Sequence, residues 1–138
     1  MVSPHAGRRI GLVSAVGQLA GQRHMSLSTY RKSGAEVATP VWFAAADDKL
    51  YVFTVGDSGK VKRLRSSPRV RVAPSDARGY VRGPSQAGSA RLLADRAAIE
   101  HAHAAMRAKY GWQMVMADFF SRLTGRLQKR AWIEIELT

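Results

Sequence analysis

The chain contains no cysteine in its 138 residues. Disulfides, thiolate metal sites and a cysteine nucleophile are therefore excluded, and the composition suits a cytoplasmic protein. Acids are scarce: 10 Asp+Glu stand against 22 Lys+Arg, for a formal net charge of +12. That imbalance calls for an anionic partner: a nucleic acid, an anionic membrane or a polyanionic small molecule. Long apolar runs are missing as well. No stretch approaches the ~20 residues that cross a bilayer, so no membrane span is expected. Residues Ile10–Ala20 are broken by Gly11, Ser14, Gly17 and Gln18, whereas a signal peptide needs a more continuous apolar segment. Repeats, low-complexity tracts and linkers are also absent.

What remains is the composition of one globular domain, 46% hydrophobic and 23% charged, long enough to bury a core. A single domain over residues 1–138 is expected, with Met1–Gly7 a loose tail. Ile10, Val13, Val16 and Ala20 fall at helical spacing and predict a short helix over Arg8–Gly21. His24–Tyr30 alternates Met25, Leu27 and Thr29 against Ser26, Ser28 and Tyr30, the period of a half-buried strand. Arg31-Lys32-Ser33-Gly34 reads as a hairpin turn, and Glu36–Ala46 as the returning strand. Pro40 cannot donate to a sheet ladder, which puts it on an edge or at a bulge. Asp47-Asp48 turns the chain into Lys49–Thr54, with Leu50, Val52 and Thr54 on one face.

The stretch Tyr51–Val72 then organises the rest. It reads as a strand, a glycine-containing turn, a short helix and a second strand. Val61, Leu64 and the stem of Arg65 are expected to pack inward, while Arg63 faces solvent. Pro68 drives the residue before it out of the helical region and ends the helix. Lys60, Lys62, Arg63, Arg65, Arg69 and Arg71 crowd this segment, and no acid interrupts Ser58–Ser75. Gly56 and Gly59 permit close backbone approach, and Thr54 and Ser58 add hydroxyls. Hydroxyls, backbone N–H groups and a lysine converging at a helix start make an anion site, for a phosphate or several carboxylates.

Downstream, Arg69–Ala73 and Gln86–Leu93 read as strands around a long turn, Pro74–Ser85. Asp95 is a candidate N-cap for a helix over Arg96–Tyr110, stopped by Gly111. Ile99, Ala102, Met106 and Lys109/Tyr110 form its stripe. A second helix, Trp112–Thr124, carries Val115, Met116, Phe119, Phe120 and Leu123. Such a stripe is expected on its own barrel or across a dimer, ahead of the alternative suggested by Arg122, Arg126, Lys129 and Arg130, contact with a membrane surface. Lys129–Leu137 closes the chain as a strand, with Ile133, Ile135 and Leu137 on one face and Trp132, Glu134 and Glu136 on the other. His101 and His103 sit two apart, which separates them around a helix, so they read as surface residues and no metal site is expected.

Six short strands with a helical excursion before the last predict a mainly β domain with flanking helices, a small six-stranded β-barrel whose final strand closes it. Four blocks make the pattern specific: Thr39-Pro40-Val41-Trp42-Phe43, Leu50-Tyr51-Val52, Asp57 through Arg65, and Pro68-Arg69-Val70 through Gly79. With Lys109-Tyr110-Gly111 and Ile133-Glu134-Ile135, the chain from His24 onward resembles the split β-barrel proteins of the pyridoxamine-phosphate-oxidase-like superfamily (FMN-binding split-barrel-like fold). More narrowly, it looks like their F420-dependent actinobacterial group, the deazaflavin-dependent oxidoreductases.

The resemblance implies a homodimer with two cofactor sites at the subunit interface, and a small-molecule substrate. It implies coenzyme F420, a deazaflavin ring with a phosphodiester and a glutamate tail, as hydride carrier to an unsaturated acceptor. Carried onto this chain, Thr54, Ser58 and Lys60 bind the phosphate, and Lys62 and Arg65 assist or meet the tail. The backbone of Thr39, Pro40, Val41 and Trp42 faces the ring, with Trp112 or Trp132 of a partner chain nearby. No acid–base pair stands out, and no catalytic residue is assigned. FMN is the alternative cofactor, though one phosphate needs fewer cations than a glutamate tail. A non-catalytic F420 carrier and a basic nucleic-acid module are the remaining readings. No aromatic lies between Lys60 and Arg71, which argues against single-strand stacking, so no nucleic acid is expected.

Overall fold

The structure, a computed structural model, describes residues 16–17, 19–56, 58–125 and 129–138. Among them are seven strands and three helices: β1 His24–Tyr30, β2 Glu36–Trp42, β3 Ala44–Ala46, β4 Lys49–Val55, α1 Gly59–Ser66, β5 Arg69–Ser75, β6 Gln86–Leu92, α2 Arg96–Tyr110, α3 Trp112–Leu123 and β7 Arg130–Leu137. Most of the helix expected over Arg8–Gly21 lies outside the described residues, as does Asp57. Within it, Val16, Gly17, Leu19 and Ala20 are helical.

All seven strands form one antiparallel sheet in the order β2-β1-β5-β6-β7-β4-β3. Its two outermost strands are consecutive in the chain, separated only by Phe43. The single strand expected over Glu36–Ala46 is thus divided: β2 pairs with β1, and β3 pairs with β4. One bent segment supplies both edges, so the sheet curls back on itself. Six sequence strands become seven without changing the barrel.

Local chemistry accounts for most joins. Gly34 takes φ 91° in the β1–β2 hairpin, where its N–H donates to Arg31 C=O at 2.8 Å. Asp47 and Asp48 adopt φ 53° and 63°, the paired left-handed geometry that suits a two-residue hairpin. The Asp95 carboxylate accepts from Ala98 N–H at 3.1 Å and starts α2, which ends at Gly111 with φ 57°. Pro40 pairs opposite Ser26 in β2, an edge strand of the sheet.

The barrel interior is filled by Met25, Leu27, Phe43, Leu50, Val52, Val70, Val72, Ile133 and Ile135, with Leu64 of α1 plugging one end. A second core forms outside the barrel, where Ala102, Met106, Tyr110 and Met114 of α2 and α3 cover Ala44, Tyr51 and Trp132. Alternation in β4 and β7 thus serves two apolar layers. Ser26 and Ser28, expected on an exposed face, are buried. Beside the second core, Glu134 accepts from Arg91 at 3.0 Å and Lys49 at 3.4 Å. Burial, and then Glu134, push the Tyr51 phenol up to about 12.

Helix α3 does not take the first of its two expected placements. Its only buried residue is Met114. Trp112, Val115, Met116, Phe119, Phe120 and Leu123 are exposed, so the stripe does not pack on its own barrel. Polar groups turn inward instead: Asp118 bridges Arg130 at 2.7 Å and His103 at 2.8 Å. Trp132 is buried against Phe53 and His103. Trp112, in contrast, is 74% exposed.

Candidate functional site

The basic corner is built where β4 runs out. After Val55 the chain turns at Gly56, whose N–H donates to Lys129 C=O. A Cβ at Gly56 would stand 2.5 Å from that oxygen, so glycine is required here by the barrel's own backbone. Ser58 N–H returns to Val55 C=O at 3.0 Å. Ser58 is then the N-cap of α1 in an extended conformation, yet its side chain makes no capping bond. Its hydroxyl lies 3.3 Å from that of Thr54 instead. The first turn of α1 contains no acid. Among the described residues, no side chain accepts from the first amides of this helix, which leaves the positive end of its dipole open to an anion.

Lys60 stands in that first turn, half-buried. Burial, and secondarily the Arg63 charge, hold its ammonium below the usual lysine range. Arg63 does not face solvent as expected. Its Nε donates to Thr29 Oγ1 at 2.6 Å, and its guanidinium folds over Gly59, where a Cβ would meet Nη1 at 2.7 Å. Lys62 and Arg65 are exposed, and the stem of Arg65 does not pack inward. A groove joins this helix to the β1–β2 hairpin, lined by Tyr30, Arg31, Lys32, Gly59, Lys62 and Arg63. Among the described residues, no acid forms an ion pair with Arg31, Lys32, Lys60, Lys62, Arg63 or Arg65. Four of these cations, Arg31, Lys32, Lys62 and Arg63, line one groove able to take several anionic groups, and Lys60 and Arg65 stand on the same helix.

Thr54 and Ser58 are thus in contact, and Lys60, Lys62 and Arg65 follow on the helix that Ser58 caps. Thr39–Trp42 lies apart, on β2 across β1 from α1. No hydrogen bond among the described residues joins the two groups. Val41 is in the barrel core. Thr39 Oγ1 is buried without a partner. Pro40 is exposed and lies beside Gly79, where a Cβ would be 3.3 Å from Pro40 Cδ. Trp42 stacks on Tyr110 at 4.6 Å and donates from Nε1 to His24 at 3.1 Å. A separate groove of about 290 Å³ crosses the sheet over Ser26, Ser28, Ala38 and Ala73, with Glu36, Arg71 and Val81 at its sides. Its floor is made of small side chains, which leaves room for a flat group.

Sequence reasoning missed Arg31, Lys32 and the inward turn of Arg63. Arg31-Lys32 read only as a hairpin tip, and pairing of β1 with β5 is what carries it beside α1. His101 is exposed and pairs with Asp47 at 2.9 Å; His103 belongs to the Asp118 network. Among the described residues, no group of three or more His, Asp or Glu could hold a metal. No helix there is long and apolar enough to cross a membrane.

A family model described as "Pyridoxamine 5'-phosphate oxidase" matches residues 14–138. No curated protein matches the chain. Among solved structures, a conserved hypothetical protein from Mycobacterium tuberculosis is similar at TM-score 0.68 and 22% identity, over 99% of this chain and 81% of that one. A FAD-binding protein from Mesorhizobium loti is similar at TM-score 0.61 and 17% identity, over 91% and 86%. The heme storage protein of Vibrio cholerae is similar at TM-score 0.66 and 12% identity, over 96% and 89%. At such identities these likenesses speak for the fold alone.

Proposed function

This chain belongs to the pyridoxamine 5'-phosphate oxidase family, and on that premise we propose that it is an oxidoreductase using coenzyme F420. The observation that carries the proposal is the start of α1: an N-cap with no side-chain bond and no acid in its first turn, beside the half-buried Lys60. Thr54, Ser58, Lys60 and the first amides of α1 bind the phosphate. Lys62, which shares a groove with Arg31 and Lys32, and Arg65 receive the glutamate carboxylates. A single phosphate would leave most of those six cations without a task, which is why a polyanionic cofactor is favoured over FMN.

Reduced F420 supplies a hydride to an unsaturated organic acceptor. The protein's part is to hold the ring, fix its distance to the acceptor and exclude water. The backbone of Thr39–Trp42 flanks the ring, because β2 is an outermost strand of the sheet and Pro40 offers no N–H to compete. A homodimer completes the site in the seam between two copies. Among the described residues of this corner no acid–base pair stands out, and no proton donor is assigned.

A flavin is the second reading, favoured by the fold shared with a FAD-binding protein. Titration of the purified protein with F420, FMN and duplex DNA separates the readings. Micromolar F420 binding supports the proposal. Tight FMN binding with indifference to F420 moves the assignment to a flavin enzyme. DNA binding with a steep salt slope, and neither cofactor bound, rejects both. Binding of reduced F420 with no acceptor able to oxidise it makes the protein a carrier.

A further inference from the structure

Helix α3 is amphipathic in the reverse sense for a helix on a domain surface. The side facing the protein carries its polar groups. Gln113 accepts from Arg23, Asp118 from Arg130 and His103, and Ser121 from Arg130 at 2.8 Å. The solvent side carries Trp112, Val115, Met116, Phe119, Phe120 and Leu123, between 44% and 74% exposed. These follow helical spacing and make one strip about 16 Å long at 1.5 Å per residue. Phe119 and Phe120 meet edge to face at 5.8 Å, so the middle of the strip is aromatic. Isolated apolar residues on a surface need no explanation; six on one helix do.

The charge around the strip says what covers it. Between Arg107 and Arg130 the chain has six cations, Arg107, Lys109, Arg122, Arg126, Lys129 and Arg130, and a single acid, Asp118. That acid is spent inward on Arg130 and His103. Arg122 and Lys129 are exposed. Lys109 and Arg130 turn inward, but two copies meeting strip to strip would still bring the exposed Arg122 of each helix to a seam from which Asp118, the one acid of α3, is turned away. A surface that is apolar at its centre and anionic over its area satisfies both features.

We propose that the outer face of α3 docks on an anionic lipid bilayer. Trp112, Phe119, Phe120 and Leu123 enter the headgroup–acyl boundary, and Arg122 and Lys129 reach lipid phosphates. The helix lies in the interface and does not cross it. This goes beyond the cofactor assignment: no hydrogen bond or ion pair among the described residues joins α3 to α1, and although Lys129 C=O holds Gly56 of that corner, the Phe119/Phe120 variant tests the strip alone.

The test is sedimentation of the full chain with phosphatidylcholine vesicles, with and without phosphatidylglycerol. Binding is expected to the anionic vesicles only, falling as salt rises, with a blue shift of tryptophan emission. Trp112 is the reporter, since Trp132 is buried and Trp42 is stacked. Phe119→Ser with Phe120→Ser should weaken partition at least about tenfold while F420 affinity and melting temperature hold, because both side chains are exposed. Arg122→Gln with Lys129→Gln should weaken it on anionic vesicles without touching the strip. Absence of binding to anionic vesicles overturns the proposal. Binding that the Phe119/Phe120 variant leaves unchanged also overturns it, since general basic charge then suffices. A lipid-free dimer that shields Trp112 from quenchers, and dissociates in that variant, assigns the strip to a second copy instead.

Discussion

The hydroxyl of Tyr110 lies 3.0 Å from the backbone nitrogen of Phe43 and 2.9 Å from its carbonyl oxygen. Phe43 is the residue at which the chain leaves one edge of the sheet for the other, so its own backbone groups lack the ladder partners its neighbours have. Tyr110 supplies them from the last turn of α2, and its oxygen also reaches Arg23 C=O at 2.7 Å. Burial raises the phenol's pKa against the opposing pull of Phe43 N–H and Arg23, which keeps its proton available for donation. Tyr110→Phe leaves a buried N–H unpaired and should cost about 1–3 kcal/mol. Urea denaturation checks this, with the exposed Tyr80→Phe as a control expected to change little.

Gly56 is fixed by the barrel. Alanine there would place its Cβ 2.5 Å from the Lys129 carbonyl oxygen. Backbone on both sides must move, at an expected cost of about 1–3 kcal/mol. Thermal unfolding of Gly56→Ala should show a lowered midpoint. Gly34→Ala, where nothing stands within 4 Å, meets only the backbone penalty of its positive φ.

Lys109 places a buried Nζ, without a hydrogen-bond partner, 3.5 Å from the centre of the Phe43 ring. Burial, and then the Arg23 charge, lower its pKa from 10.5 to about 8. Between those values the unfolded chain keeps a proton that the folded chain sheds. The Lys109 contribution to stability therefore rises with pH across that window, and its cost is fully present below about 8. Lys109→Met should be more stable than the parent at pH 7, with the advantage shrinking toward pH 10. Paired denaturation curves at pH 7 and 10 read this directly.

Local chemistry was legible in the sequence and distant contacts were not. Val61 and Leu64, the alternation of Ile133 and Ile135, the Asp95 cap and the Asp47-Asp48 turn all follow from spacing of two to four residues. The break at Phe43 depends on Tyr110, 67 residues away, and no local pattern announces it. The stripe of α3 was visible as a period, but a period does not say which side the core lies on. Polar Asp118 and Ser121 were drawn inward by Arg130, a residue of the closing strand. The same holds at the candidate site: Lys60 and Ser58 stood out within one short segment. Arg31, Lys32 and the folded-back Arg63 join them only because the hairpin end of β1 lies beside α1.

The most direct measurement is the affinity of F420 for the wild-type chain and for Lys60→Ala, read by cofactor fluorescence at fixed salt. A charge-assisted contact at the uncapped start of α1 predicts micromolar binding that weakens about tenfold or more in the variant, with the melting temperature preserved. Equal affinity in the two proteins, or no F420 binding in either, would contradict the account.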